Sequence, residues 1–151
     1  MGRVNSLTSR SDNAAHMNEP SSSFTHTLRV YWEDTDAGGV VFYANYLKFF
    51  ERARTEWLRS LGFGQQQMLD DSQTMFIVTD TRLRYLSPAR LDDLLRITVQ
   101  PAPPGRATLT LNQQALRDDT LLAEGAIRIA CVEAGTFRPR RIPTAIAQRI
   151  T

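Results

Sequence analysis

One long amphipathic segment constrains the fold of this chain more than any other feature. Between Ala44 and Leu61, apolar side chains recur at the spacing of one helix face, and charged side chains fall on the opposite side. The apolar positions are Tyr46, Phe49, Phe50, Ala53, Trp57 and Leu61. Gly62 and Gly64 follow as stop signals. Because one helix cannot bury so broad an apolar face by itself, the rest of the chain must cover it.

Most of the remaining sequence has the pattern of β-strands. The first strand is predicted from Phe24 to Glu33, where side chains alternate with a period of two. Four more strands are predicted at Met75–Leu86, Leu94–Gln100, Ala107–Leu116 and Leu121–Val132. Two of the connections carry hairpin-turn residues, Pro103-Pro104-Gly105 and Asp118-Asp119. This order predicts an α+β domain in which an antiparallel sheet of about five strands wraps around one long central helix.

Composition limits the possible classes of function. The 151 residues fit one domain, predicted over residues 24–151, behind a Ser- and Asn-rich extension at residues 1–23 that is predicted to be disordered. A net charge of +2 predicts no nucleic-acid partner. No segment approaches the roughly 20 apolar residues of a transmembrane span, and the extension lacks a secretion signal, so a cytoplasmic location is predicted. Cys131 is alone, and neither a metal nor a cofactor is predicted.

The strongest candidate for chemistry is Asp36, a carboxylate at a glycine turn just before the predicted helix. Gly38 and Gly39 are expected to leave amide hydrogens uncovered where a substrate oxygen could approach. The start of the helix would stabilise negative charge that develops on that oxygen. The sequence has no Gly-x-Ser-x-Gly elbow and no activated Cys–His pair, so a hydrolase of this composition must use a carboxylate. A turn-stabilising or helix-capping role for Asp36 fits the residues equally well, and Asp34 is predicted to hold the loop.

The stretch around Asp36 also resembles a known family, the hotdog-fold acyl-CoA thioesterases of the 4-hydroxybenzoyl-CoA thioesterase family. Two further segments, at residues 51–58 and 85–93, are similar to the branch of that family associated with the Tol-Pal cell-envelope system. The resemblance covers roughly residues 24–143. The residues of the signature itself are Tyr31, Asp34, Thr35, Asp36, Gly38, Gly39, Val40, Val41, Tyr43 and Tyr46.

This resemblance implies a hotdog fold and a set of site residues. Asp36 is the implied catalytic carboxylate, acting as nucleophile or as general base, and the main-chain N–H of Tyr43 is expected to polarise the acyl carbonyl. The predicted substrate-binding residues are Gly38, Gly39, Val40 and Tyr46. Tol-Pal-associated relatives often carry His at the position of Tyr43, whereas relatives that act on hydroxybenzoyl thioesters often carry Tyr. The acyl specificity is therefore open.

The implied activity is hydrolysis of an acyl-CoA thioester to a free acid and coenzyme A. Acyl-carrier-protein thioesters are a variant, because they carry the same phosphopantetheine arm. Two alternatives stay open, an aromatic acyl-CoA thioesterase and a noncatalytic protein that binds acyl groups. Since hotdog domains usually pair edge to edge with active sites at the interface, a homodimer or homotetramer is expected.

Overall fold

The computed structural model describes residues 23–150, so the extension predicted at residues 1–23 lies outside the described residues except for Ser23. Within residues 23–150 there are five strands, three α-helices and one short 3-10 helix at Trp32–Asp34. The strands are β1 Phe24–Arg29, β2 Thr74–Tyr85, β3 Leu94–Pro101, β4 Thr108–Arg117 and β5 Thr120–Glu133. The helices are α1 Asn45–Ser60, α2 Gln65–Ser72 and α3 Thr144–Ile150.

The five strands form one sheet in the order β1-β3-β4-β5-β2, and every neighbouring pair is antiparallel. The sheet covers the apolar face of α1, which confirms the α+β architecture predicted from the sequence. Side chains of β4 alternate between the core and the outer face, because successive residues of a strand point to opposite sides. The buried side chains of α1 are Tyr46, Phe49, Phe50, Ala53, Trp57 and Leu58. Burial of each large apolar side chain contributes roughly 1.5–3 kcal/mol.

One polar residue interrupts the apolar interface between sheet and helix. Gln113, on β4, is only 1% exposed. Its Nε2 donates a hydrogen bond to the Phe50 carbonyl at 3.0 Å, and its Oε1 accepts one from the Arg54 guanidinium at 2.9 Å. These bonds satisfy polar groups that would be costly to bury alone, and they connect α1 to the centre of the sheet.

The first strand is shorter than predicted. It ends at Arg29 rather than at Glu33, because the next backbone groups bond elsewhere: the Val30 N–H donates to the Asp93 carbonyl and the Val30 carbonyl accepts from the Asp92 N–H. The chain then turns through the 3-10 helix, where Trp32 is 81% exposed. The strand predicted beyond Arg29 to Glu33 is therefore wrong, since Trp32 and Glu33 lie in the 3-10 helix.

Helix α2 was not predicted from the sequence. It buries only Met68, so it lacks the periodic apolar face that identifies α1. Helix α2 packs mainly on β2, and the Gln73 that follows it takes a left-handed backbone conformation with φ 53°. No helix in the described part of the chain is long and apolar enough to cross a membrane.

Candidate active site

Asp36 is held in a tight surface turn of residues 36–40, called the acidic turn below. Its Oδ1 accepts hydrogen bonds from the backbone N–H of Gly38 at 2.8 Å and of Val40 at 3.4 Å. The Asp36 N–H donates to the Val40 carbonyl at 2.8 Å, and the Gly39 N–H donates to the Asp36 carbonyl at 3.0 Å. Gly39 has φ 77°, a conformation that glycine adopts without strain. The carboxylate is exposed.

These contacts correct one expectation about the two glycines. Their amide hydrogens are not uncovered, because both donate to Asp36 itself. The acidic turn thus orients the carboxylate through its own backbone, in the manner of an Asx turn. The substrate-binding role of Gly38, Gly39 and Val40 stays a prediction.

Asp34 has the structural role expected of it. Its side chain is nearly buried, and its Oδ2 accepts a hydrogen bond from the Tyr31 N–H at 2.8 Å. Its backbone carbonyl accepts from the Phe42 N–H at 2.9 Å and from Nδ2 of Asn45 at 2.8 Å. Asp34 therefore links the 3-10 helix to the start of α1, with the acidic turn between them.

The backbone at the start of α1 leaves hydrogen-bond donors free. The Phe42 carbonyl accepts the Asn45 N–H at 2.8 Å. In a trans peptide the C=O and N–H point in opposite directions, so the Tyr43 N–H faces away from the first turn. This N–H donates to no group in residues 23–150. The first turn of α1 has no acidic residue, and Ala44 at the N-cap makes no side-chain hydrogen bond, so the positive end of the helix dipole is not neutralised locally.

A cavity of about 300 Å³ opens beside this helix start. Its lining comprises Val41, Tyr43, Tyr46, Tyr85 and residues 86–88, and it is called the helix-start cavity below. The ring of Tyr85 lies 5.5 Å from that of Tyr46 and 6.2 Å from that of Tyr43. Two predicted site residues, Tyr43 and Tyr46, therefore share one largely apolar cavity.

Two phenol groups of the helix-start cavity, those of Tyr46 and Tyr85, have a raised pKa and are neutral at pH 7. Burial raises the pKa of Tyr46 above its ordinary value of 10.0, and contact with the Ala89 backbone opposes that shift. Burial also raises the pKa of Tyr85, with a smaller contribution in the same direction from Tyr43. These phenols can therefore donate hydrogen bonds throughout the physiological pH range.

The segment between β2 and β3 forms the opposite wall of the cavity. Its Ala89 carbonyl accepts the Val41 N–H at 2.8 Å. Arg117, on β4, donates to the Pro88 carbonyl at 3.2 Å and to Oδ2 of Asp93 at 2.8 Å. Burial by itself would raise the pKa of Asp93, but hydrogen bonds from Arg117 and from the Arg90 N–H outweigh it and lower the pKa below its ordinary value of 3.8.

Sequence reasoning assigned no role to Tyr85, Asp93 or Arg117. Residues 85–93 entered the sequence analysis only through the family resemblance, and Arg117 lies far from them in the chain. A usable signal was the close spacing of Tyr85, at the end of a strand, and of Pro88 and Asp93 in the connection that follows it, since connections are common sites of function. Their contacts with Tyr43 and Arg117 become visible only in the folded structure.

Asp36 does not line the helix-start cavity. Larger cavities lie elsewhere: one of about 420 Å³ opens among polar side chains such as Arg82, Arg84 and Gln114, and one of about 490 Å³ lies between Arg106 and Arg141. Neither contains a predicted site residue. Cavity size therefore does not select the candidate site. The helix-start cavity is the candidate because the unbonded Tyr43 N–H lies at an apolar cavity. Among the residues described, no group of three or more His, Cys, Asp or Glu is placed to hold a metal ion.

Comparisons with known proteins agree with this geometry. Residues 30–150 match the model of the thioesterase-like superfamily. The chain is 43% identical over 122 residues to the acyl-CoA thioesterase YbgC of Haemophilus influenzae. The aligned region covers 81% of this chain and 90% of that protein. It is 33% identical over 104 residues to the 1,4-dihydroxy-2-naphthoyl-CoA hydrolase of Thermosynechococcus vestitus, covering 69% of this chain and 67% of that protein.

A solved structure shows the same fold. The probable thioesterase from Bartonella henselae superposes with a TM-score of 0.78 at 32% identity, covering 81% of this chain and 100% of that one. Together with the sheet and the enclosed helix α1, these similarities confirm the hotdog fold and the thioester-hydrolase class predicted from the sequence. The chain belongs to the thioesterase-like superfamily.

Proposed function

We propose that this protein hydrolyses acyl-CoA thioesters and that Asp36 is its catalytic carboxylate. The observation that carries the proposal is the arrangement of residues 36–46, where an oriented, exposed carboxylate precedes a helix start with a free N–H and an adjoining cavity. The acyl-CoA thioesterase named among its relatives supports this class of substrate. No residue of this arrangement requires a cofactor for thioester hydrolysis.

In the proposed chemistry, the helix start and the acidic turn have different roles. The Tyr43 N–H donates to the thioester carbonyl, and a donor of this kind stabilises the developing oxyanion by roughly 3 kcal/mol. Asp36 either attacks the carbonyl carbon directly and expels the thiolate, which gives a mixed anhydride that water then hydrolyses to the free acid, or takes a proton from the water that attacks the carbonyl. In both routes the thiolate of coenzyme A leaves without a strong general acid.

We further propose that two copies of the chain complete the site. Among residues 23–150, strand β2 lies at an edge of the sheet and pairs only with β5, so its outer row of backbone groups is available to a second strand. Val78, near the middle of β2, is 49% exposed. Pairing of two β2 strands would continue the sheet across a dimer, and a homodimer or homotetramer would bring the acidic turn of one copy towards the other. Sedimentation analysis tests the oligomeric state.

Replacing Asp36 by Asn tests the proposed catalytic role. The amide keeps the size of the side chain and one oxygen for the Gly38 N–H, so folding should be preserved. We expect thiol release from acyl-CoA to fall by about 100-fold or more, because the nucleophile or base is removed. Asp119→Asn is a matched control, since Asp119 is an exposed aspartate in the tight turn between β4 and β5. Full turnover in Asp36→Asn would refute the assignment.

An aromatic acyl group is a second candidate substrate. Three tyrosine rings line the helix-start cavity, and one relative is a hydrolase of an aromatic acyl-CoA. Aromatic rings pack favourably against each other in offset or edge-on geometry. Measuring kcat/KM over matched aliphatic and aromatic acyl-CoA substrates, and over acyl carrier protein, distinguishes these cases. Acyl-CoA binding without hydrolysis would favour the noncatalytic alternative.

Two other expectations stay predictions. One is the cytoplasmic location, and the other is the association with the Tol-Pal system. Fractionation of cells that express the full chain tests the first, and co-purification with envelope components tests the second.

A further inference from the structure

Tyr85 makes a direct connection between the sheet and the start of α1. It is the last residue of β2, and its hydroxyl donates a hydrogen bond to the Tyr43 carbonyl at 3.0 Å. Its ring stands edge-on to the Tyr43 ring, with an interplanar angle of 85°. The Leu86 N–H bonds to the Leu122 carbonyl at 2.9 Å, which anchors the backbone immediately after Tyr85 to β5.

The bond from Tyr85 fixes one of the two peptide planes that flank Tyr43. The preceding plane, which contains the Tyr43 N–H, is held by the bond from the Asn45 N–H to the Phe42 carbonyl. The following plane contains the Tyr43 carbonyl and is held by Tyr85. The two rigid planes meet at the Tyr43 Cα, so holding both restrains φ and ψ of Tyr43 and with them the direction of the free N–H.

We propose that Tyr85 is a positioning residue for the reaction: by holding the Tyr43 carbonyl, it keeps the Tyr43 N–H directed at the acyl carbonyl of the substrate. This inference rests on the proposed function and adds a residue to it. Without the phenol hydroxyl, the peptide between Tyr43 and Ala44 can rotate. Its carbonyl oxygen can then approach the site where negative charge develops, and repulsion between the two oxygens would oppose the transition state.

A role confined to stability would give a different result. The side chain of Tyr85 is 45% exposed, so loss of its hydroxyl should leave the core intact. A positioning role acts on the transition state more than on the bound substrate, and it should therefore lower kcat with little change in KM.

The test is Tyr85→Phe, which keeps the aromatic ring and removes only the hydroxyl. We expect kcat for acyl-CoA hydrolysis to fall about tenfold, less than the loss on removing an oxyanion donor altogether, with KM within about twofold. Ser60→Ala is the control, because it removes a hydroxyl-to-carbonyl hydrogen bond of the same kind, to Trp57 at 2.6 Å, at the far end of α1. It should leave kcat and KM unchanged.

A second measurement does not depend on activity. The amide nitrogen of Ala44 reports on hydrogen bonding to the Tyr43 carbonyl, because both belong to one peptide plane. Its NMR resonance should shift in Tyr85→Phe and stay in place in Ser60→Ala. An unshifted resonance, or a kcat within twofold of the wild type, would overturn the role of Tyr85. If Asp36→Asn loses activity while Tyr85→Phe retains it, only the Tyr85 inference fails, whereas an inactive wild type refutes both proposals.

Discussion

The acidic turn and the helix-start cavity are neighbours in the sequence but are held by contacts of different range. The hydrogen bonds that hold the Asp36 carboxylate join residues no more than four positions apart, as between Asp36 and Val40, and the acidic turn meets a distant segment only at its last residue, where Val40 bridges to Arg90. In the helix-start cavity, the bond from Tyr85 to Tyr43 joins residues 42 positions apart. The carboxylate is therefore oriented by local geometry, whereas the backbone at Tyr43, the proposed donor to the acyl carbonyl, is held in part by a contact of the tertiary fold.

This difference predicts which region responds to which change. Substitutions in the sheet or its connections should disturb the helix-start cavity and leave the acidic turn intact. Substitutions at the glycines should disturb the acidic turn at little cost to the core. The predictions below test that separation through the free energy of unfolding and, for the glycines, also through activity.

The largest expected effect comes from Tyr46→Ala, which empties the buried side of the helix-start cavity. Tyr46 is 3% exposed and its ring lies 5.8 Å from that of Phe49. Loss of a buried aromatic ring should lower the free energy of unfolding by roughly 3–5 kcal/mol. Urea denaturation measures this value, and Tyr46→Phe is the control that keeps the ring. A loss below about 1 kcal/mol would show that the cavity wall does not depend on core packing.

An intermediate effect is expected for Asp93→Asn, which weakens the wall of the helix-start cavity that the segment between β2 and β3 forms. The Asp93 side chain is 21% exposed and pairs with Arg117. At pH 7 the substitution should cost about 1.5–3 kcal/mol of unfolding free energy, because Arg117 and the Arg90 N–H lose a charged acceptor and keep at most a neutral amide oxygen.

The same pair predicts a dependence on pH. The pKa of Asp93 is lower in the folded state than its ordinary value of 3.8. Its contribution to stability is therefore fully present above pH 3.8 and is lost as the pH falls through the lowered folded-state pKa. Urea midpoints measured between neutral and acidic pH should fall more steeply for the wild type than for Asp93→Asn. Parallel curves would contradict the predicted coupling.

The smallest expected effect is that of Gly39→Ala in the acidic turn. An added Cβ would meet no atom within 4 Å, so its cost comes only from the left-handed backbone, about 1–2 kcal/mol at most. Gly38→Ala provides the comparison, because its Cβ would lie 3.2 Å from Oδ1 of Asp36. We expect Gly39→Ala to change mainly stability and Gly38→Ala to change mainly activity. The reverse pattern would break the proposed division of roles.

Much of the architecture was predictable because side-chain periodicity is a local property. Helix α1 was predicted at residues 44–61 and is observed at Asn45–Ser60, and the ends of the last four strands agree to within one residue. The first strand was wrong beyond Arg29, because contacts with Asp92 and Asp93 determine where it ends. Helix α2 was missed because one buried residue, Met68, gives no periodic signal.

For the candidate site, the sequence by itself determined the acidic turn, since Asp36 and the glycines that hold it lie within five consecutive residues. It also determined that a helix starts shortly afterwards. Only the tertiary structure decided that Tyr85 meets this helix start and that Arg117 bonds to Asp93 and to the Pro88 carbonyl in the opposite cavity wall. It also decided that the amides of Gly38 and Gly39 are already bonded. The physical reason is range: turn and helix geometry depends on neighbours in the chain, whereas a cavity forms where distant strands bring their ends together.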